Sequence, residues 1–132
     1  MSVYLVATEL TRQGWIVSPT SRSAAGADIL MTSHDCNRPY SVQVKTNTTG
    51  SRRFHFGSNA KTLVSDSHIY ILVDIKPGSD PERILFYVVP SRLLSKLATP
   101  ANPKISAGGY VVHRDAIKTY ESDRDQLGDP GL

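Results

Sequence analysis

The segment from His68 to Ile75, HIYILVDI, limits the fold more than any other stretch of this chain. It is nearly all apolar, the pattern of a strand buried on both faces. Such a strand needs a covering layer on each side of its sheet. The expected architecture is therefore an α/β or α+β sandwich on one mixed sheet flanked by helices. A length of 132 residues suits one domain with a real core and no disulfide or metal support. Residues 1–122 are assigned to that domain, and residues 123–132, ending in Leu127-Gly128-Asp129-Pro130-Gly131-Leu132, to a frayed tail.

The flanking pattern supplies the other elements. Val3 to Gln13 carries apolar residues at Val3, Leu5, Val6 and Leu10, which suits a helix stopped by Gly14. Trp15-Ile16-Val17 reads as a short strand ending at Ser18-Pro19, followed by a small, polar loop from Thr20 to Gly26. Ala27 to Thr32 is a second strand, and residues 33–39 (SHDCNRP) carry turn chemistry. Tyr40 to Thr46 alternates Tyr40, Val42 and Val44 against Ser41, Gln43 and Lys45, the period of a strand with one buried face. A polar turn at residues 47–51, a short strand at residues 53–56 and a short helix within residues 58–64 follow. Beyond the central strand come a loop at 76–82, a strand at 84–89, a helix at 92–97 and an irregular connection at 98–109. Tyr110-Val111-Val112 is an extended piece before a last helix at 113–121.

No apolar run approaches the roughly 20 residues that span a bilayer. The opening MSVYLVATEL lacks a basic n-region and a cleavage pattern, so no secretion signal is expected. Cys36, the single cysteine, cannot form an intramolecular disulfide, and the expected location is cytoplasmic. It lies in a turn and reads as a bystander.

A net charge of +3 says little, but its distribution says more. From Cys36 to Ser65 there is no acidic residue, while Arg38, Lys45, Arg52, Arg53 and Lys61 are cationic. From Asp115 onward the balance reverses, with Asp115, Glu121, Asp123, Asp125 and Asp129 against Lys118 and Arg124. Such asymmetry suits a polyanion-binding face or, equally, two unrelated solvated surfaces.

The chemistry-bearing constellation is Asp28 with Gln43 and Lys45. Alternation projects Gln43 and Lys45 from the same strand face, roughly 6.5–7 Å apart. If the two strands pair as a hairpin, Asp28 comes beside them. A carboxylate and an amide oxygen then suit a hard cation such as Mg²⁺, and Lys45 suits an attacking water or charge developing on a phosphate. The bland alternatives are a strand cap or an Arg22 partner for Asp28, and a solvated edge strand for Gln43 and Lys45.

Helix, strand, Gly26-Ala27-Asp28-Ile29-Leu30, turn, then Val42-Gln43-Val44-Lys45-Thr46 resembles the core of the PD-(D/E)xK nuclease superfamily, in a Q-x-K version. That superfamily includes restriction endonucleases and Holliday-junction resolvases. The resemblance covers roughly residues 1–75 and implies a restriction endonuclease-like fold. It also implies catalytic roles for Asp28, Gln43 and Lys45, with Mg²⁺ or Mn²⁺ held by Asp28 and Gln43. Many resolvase-like members carry a Glu in the first helix, about three turns before the equivalent of Gly14. Here that position falls near Val3, and Glu9 lies on another part of the helix.

The implied activity is metal-dependent hydrolysis of phosphodiester bonds in nucleic acid, DNA in the first instance, branched DNA included. The alternative is a catalytically inactive nuclease-fold module that binds nucleic acid or a protein partner. Arg22, Arg52, Arg53, His55 and Lys61 are the candidate nucleic-acid contacts, since phosphate contacts position a protein without reading sequence. Phe54 and Phe56, flanking His55, are candidates for stacking on an unpaired base, whereas Trp15 and Tyr70 are assigned to the core. His34, His68 and His113 show no metal-ligand spacing. A chain this short offers little recognition surface, so sequence-specific cutting calls for a homodimer or a partner.

Overall fold

The apolar run forms strand β5, His68–Lys76, with neighbours on both sides and a core on each face. The structure is a computed structural model that describes residues 2–24, 27–47, 53–57, 59–76, 83–101, 109–121 and 127. Helix α1 (Ser2–Arg12) leads into strands β1 (Ile16–Ala24), β2 (Ala27–Thr32) and β3 (Pro39–Asn47). Strand β4 (Arg53–Phe56) and helix α2 (Asn59–Thr62) precede β5, and strand β6 (Arg83–Pro90) follows it. Helix α3 (Ser91–Leu97), strands β7 (Thr99–Pro100) and β8 (Tyr110–His113) and a 3-10 helix (Arg114–Tyr120) complete the order.

Five strands form a mixed sheet in the order β1-β2-β3-β5-β6, parallel only between β3 and β5. Parallel neighbours need a crossover, and the segment carrying β4 and α2 supplies it. One face holds the first core, where Val6, Ala7 and Leu10 of α1 pack with Trp15, Ile29, Val42, Ile69, Ile71 and Val73. The other face holds the second core, with Tyr70 and Leu72 of β5 under Phe54, Phe56, Leu94, Val112 and Ile117. Ile69, Ile71 and Val73 therefore alternate with Tyr70 and Leu72, as a two-sided strand requires. Helix α1 ends where Gly14, at a φ of 105°, lets its N–H reach Thr11 O while Trp15 N–H reaches Leu10 O. This is a Schellman stop, which a left-handed glycine makes without strain.

The structure differs from the sequence reading in three places. A second sheet, in the order β4-β8-β7, stands beside the main one, so the expectation of a single sheet is corrected. It forms because β4 alternates buried Phe54 and Phe56 with exposed Arg53 and His55, and β8 offers an antiparallel partner from far along the chain. Strand β1 runs to Ala24 through the stretch read as a loop. Pro19 is tolerated because β1 is an edge strand, where a missing N–H breaks no central ladder. The last helix is a 3-10 helix. Of the tail at residues 123–132 only Leu127 is described: it is 1% exposed in the first core, and its carbonyl accepts from Tyr40 Oη at 2.8 Å; the rest lies outside the described residues. Among the described residues no helix is long and apolar enough to cross a membrane.

Candidate active site

Strands β2 and β3 pair from Thr32↔Pro39 to Ile29↔Val42. One step beyond that ladder, the Val44 N–H donates to Asp28 Oδ2 at 2.8 Å, so a carboxylate stands where a backbone acceptor would continue the pairing. Thr20 Oγ1 steadies the same corner, bonding the carbonyls of Ala27 at 3.0 Å and Asp28 at 3.2 Å. Val42 and Ile29 lie in the first core. By alternation Asp28, Gln43 and Lys45 therefore share the opposite face. All three are half-buried. The hairpin expected from the sequence forms, and the middle residue of Gln43-Val44-Lys45 binds the Asp28 carboxylate directly.

Strand β3 lies between β2 and β5, which removes the reading of Gln43 and Lys45 as an exposed edge. Lys45 Nζ sits 5.9 Å from the centre of the Phe56 ring. A cation over an aromatic face is attracted by the ring quadrupole, so Phe56 holds the ammonium at the margin of the second core. Gln43 Oε1 is buried and meets no donor among the described residues. Among the described residues no three His, Cys, Asp or Glu side chains gather as a metal cluster.

The proposed nucleic-acid contacts divide. Arg53 and His55 are exposed on the outer face of β4. Lys61 instead ties elements together: its Nζ donates to the Ser95 carbonyl of α3 and lies 5.6 Å from the centre of the Tyr110 ring. Arg52 and the side chain of Arg22 lie outside the described residues. Phe54 and Phe56 are 3% and 6% exposed, so the expectation that they stack on a base is corrected: their alternation turns them into the second core. Cys36 is exposed in the turn at a φ of 61°. Glu9 is held by Arg12 at 2.7 Å and by Gln13 at 3.1 Å.

Two buried polar groups were not legible as partners. Asp74 is fully buried on β5, with Oδ2 bound by Arg114 Nη1 at 2.7 Å and Oδ1 meeting no donor among the described residues. An Asp inside a strand buried on both faces was itself a signal, because a buried charge needs a cationic partner. His68 is 3% exposed, and its Nδ1 lies 2.7 Å from Ser41 Oγ. Burial lowers the pKa of this imidazole, and a hydrogen bond to Ser41 opposes the shift. Burial likewise raises the pKa of the neighbouring Tyr70 phenol.

These features define an α/β protein with a five-stranded mixed sheet and a carboxylate–amide–lysine group at a strand split. Neither a family model nor a curated protein matches the chain.

Proposed function

We propose that the chain is a Mg²⁺- or Mn²⁺-dependent endonuclease of the PD-(D/E)xK type, with a restriction endonuclease-like fold, that hydrolyses phosphodiester bonds in DNA, branched DNA included. The observation that carries the reading is the Asp28–Val44 bond, which ties the carboxylate to the centre of Gln43-Val44-Lys45. Antiparallel β1-β2-β3 followed by parallel β5, with α1 on one face, supports it. The same reading puts the protein in the cytoplasm, with DNA as partner and a homodimer as the assembly that supplies a second strand's cut.

The residues present fit a hard cation. Asp28 and Gln43 offer oxygen ligands, and Gln43 Oε1 is a buried acceptor that no group among the described residues meets. Mg²⁺ needs only one or two protein oxygens, since it keeps several waters and takes phosphate oxygens. Once bound, such an ion lowers the pKa of a coordinated water and offsets phosphate charge. Hydrolysis would join a water oxygen to phosphorus and break the bond to the sugar oxygen, with one proton leaving the water and one reaching the leaving oxygen. Lys45, its ammonium 5.9 Å from the centre of the Phe56 ring, would offset the negative charge that develops on the phosphoryl oxygens. Isothermal titration with Mn²⁺ tests the ligand set: binding by the wild type and its loss in Asp28→Ala is expected, and equal binding by both proteins refutes it.

One observation favours a second reading, a module that binds nucleic acid or a protein without turnover. Val3 packs against the first core, Glu9 is occupied by Arg12 and Gln13, and α1 lies on the face opposite Asp28. No helix carboxylate joins the described site. DNA retention without cleavage in any divalent metal selects this reading.

A further inference from the structure

Phe56 links the second sheet to the candidate site. It is the last residue of β4 and is buried in the second core, and Lys45 Nζ lies over its ring, 5.9 Å from the centre. A lysine carries its charge on a flexible four-carbon stem with many rotamers of similar energy. On a half-buried strand face such an ammonium samples many positions unless something selects one. The face of an aromatic ring does so, because its quadrupole attracts a cation there and not at the edge.

The ring is held by contacts that do not involve Lys45. Tyr70 of β5, 1% exposed, stands against it with ring centres 5.4 Å apart and planes at 90°, an edge-to-face pair that sets the tilt. The Phe56 backbone pairs with Tyr110 of β8. Just before Tyr110, Gly109 turns at a φ of 75°, and a Cβ there would stand 2.6 Å from the Phe56 carbonyl oxygen. Glycine makes that approach, in that conformation, without a clash. The Gly109 carbonyl in turn accepts from the Ala101 N–H at 3.1 Å, just past β7. All three strands of the second sheet therefore meet at the end of β4 where the ring departs, and the mobile member of the Lys45–Phe56 pair is the lysine.

We propose that Phe56 is a positioning residue for Lys45: its ring restrains the ammonium on the face that carries Asp28 and Gln43, and the second sheet holds that ring in place. The inference rests on the nuclease reading, in which Lys45 offsets phosphoryl charge. A cation restrained beforehand loses less freedom as the transition state forms, so the ring acts on turnover and not on substrate binding. A ring that merely filled the core would have no such effect once its shape was kept.

The test compares the full chain as wild type, as Phe56→Leu, and with a trifluorinated phenylalanine at position 56, whose fluorines drain the negative face while nearly keeping the shape. NMR relaxation of the Lys45 Cε methylene reads its order. A methylene ordered in the wild type and mobile in both altered proteins is expected. Mobility already in the wild type, or equal order in all three, overturns the proposal. Should Phe56→Leu fail to fold, the fluorinated protein decides by the same criterion. In plasmid cleavage the fluorinated protein should lose about 2- to 5-fold in kcat, or about 0.5–1 kcal/mol, at unchanged KM. An unchanged kcat, or a change in KM alone, overturns the positioning role. A wild type that does not cleave removes that role together with the nuclease reading, while the order of Lys45 still reports whether the ring restrains it, so the two failures are distinguishable.

Discussion

Replacing Arg114 by Met should cost this domain far more stability than its position near the C-terminal end suggests. Asp74 has no exposed surface, and Arg114 Nη1 is 2.7 Å from its Oδ2. Unit charges about 4 Å apart interact by about 4 kcal/mol at an effective dielectric of 20. Breaking a buried pair by removing one partner costs about 3–5 kcal/mol, because the remaining charge stays desolvated. The Arg114 side chain is 21% exposed, which places the expected loss near the lower end, about 3 kcal/mol. Urea unfolding followed by circular dichroism measures it as a lower midpoint with an unchanged slope. Adding Asp74→Asn removes the stranded charge and should recover part of the loss. A cost below about 1 kcal/mol, the value of an exposed pair, refutes the reasoning.

Two further outcomes are expected. Burial depresses the His68 pKa in the folded state below the ordinary imidazole value of about 6.5, so the unfolded chain binds the proton more tightly. The associated stability is present above about pH 6.5 and is lost as pH falls through and below that value. Urea midpoints from pH 7.5 to pH 5.5 should fall less steeply in His68→Gln than in the wild type, and parallel curves would contradict the assignment. Arg53→Ala with His55→Ala should leave stability within about 0.5 kcal/mol, because both side chains are exposed. The same pair should weaken DNA binding and flatten its salt dependence by about one unit of slope per lost phosphate contact. An unchanged slope removes β4 from the nucleic-acid face.

Much of the main sheet was legible because its signals are local. Ala27–Thr32 is a strand with the bounds read from its sequence, and the alternation of Val42 and Val44 against Gln43 and Lys45 assigns two faces without knowledge of the neighbours. The second sheet was not legible. Its strands are two to four residues long, and β4 finds β8 only after an intervening helix, two long strands and another helix. Such pairing depends on distant backbone, not on local pattern. Strand β1 was read too short because serines and Pro19 look like a loop, yet an edge strand tolerates both.

The candidate site divides in the same way. The period of two put Gln43 and Lys45 on one face, and the expected pairing of β2 with β3 forms. What the sequence did not contain was the point where the β2–β3 ladder stops, which frees the Val44 N–H for the carboxylate. Nor did it indicate that Tyr70 and His68 lie across the parallel pair from Gln43 and Ser41, since parallel register is set by the crossover.

The central proposal turns on whether Asp28, Gln43 and Lys45 hydrolyse DNA. Purified wild-type protein should be incubated with supercoiled plasmid and with a four-way junction, in Mg²⁺ or Mn²⁺. Asp28→Ala and Lys45→Ala, with circular dichroism matching the wild type, run beside it. Cleavage by the wild type alone, abolished by EDTA, is the expected result. Cleavage that survives both substitutions, or no cleavage by the wild type in either metal, contradicts it.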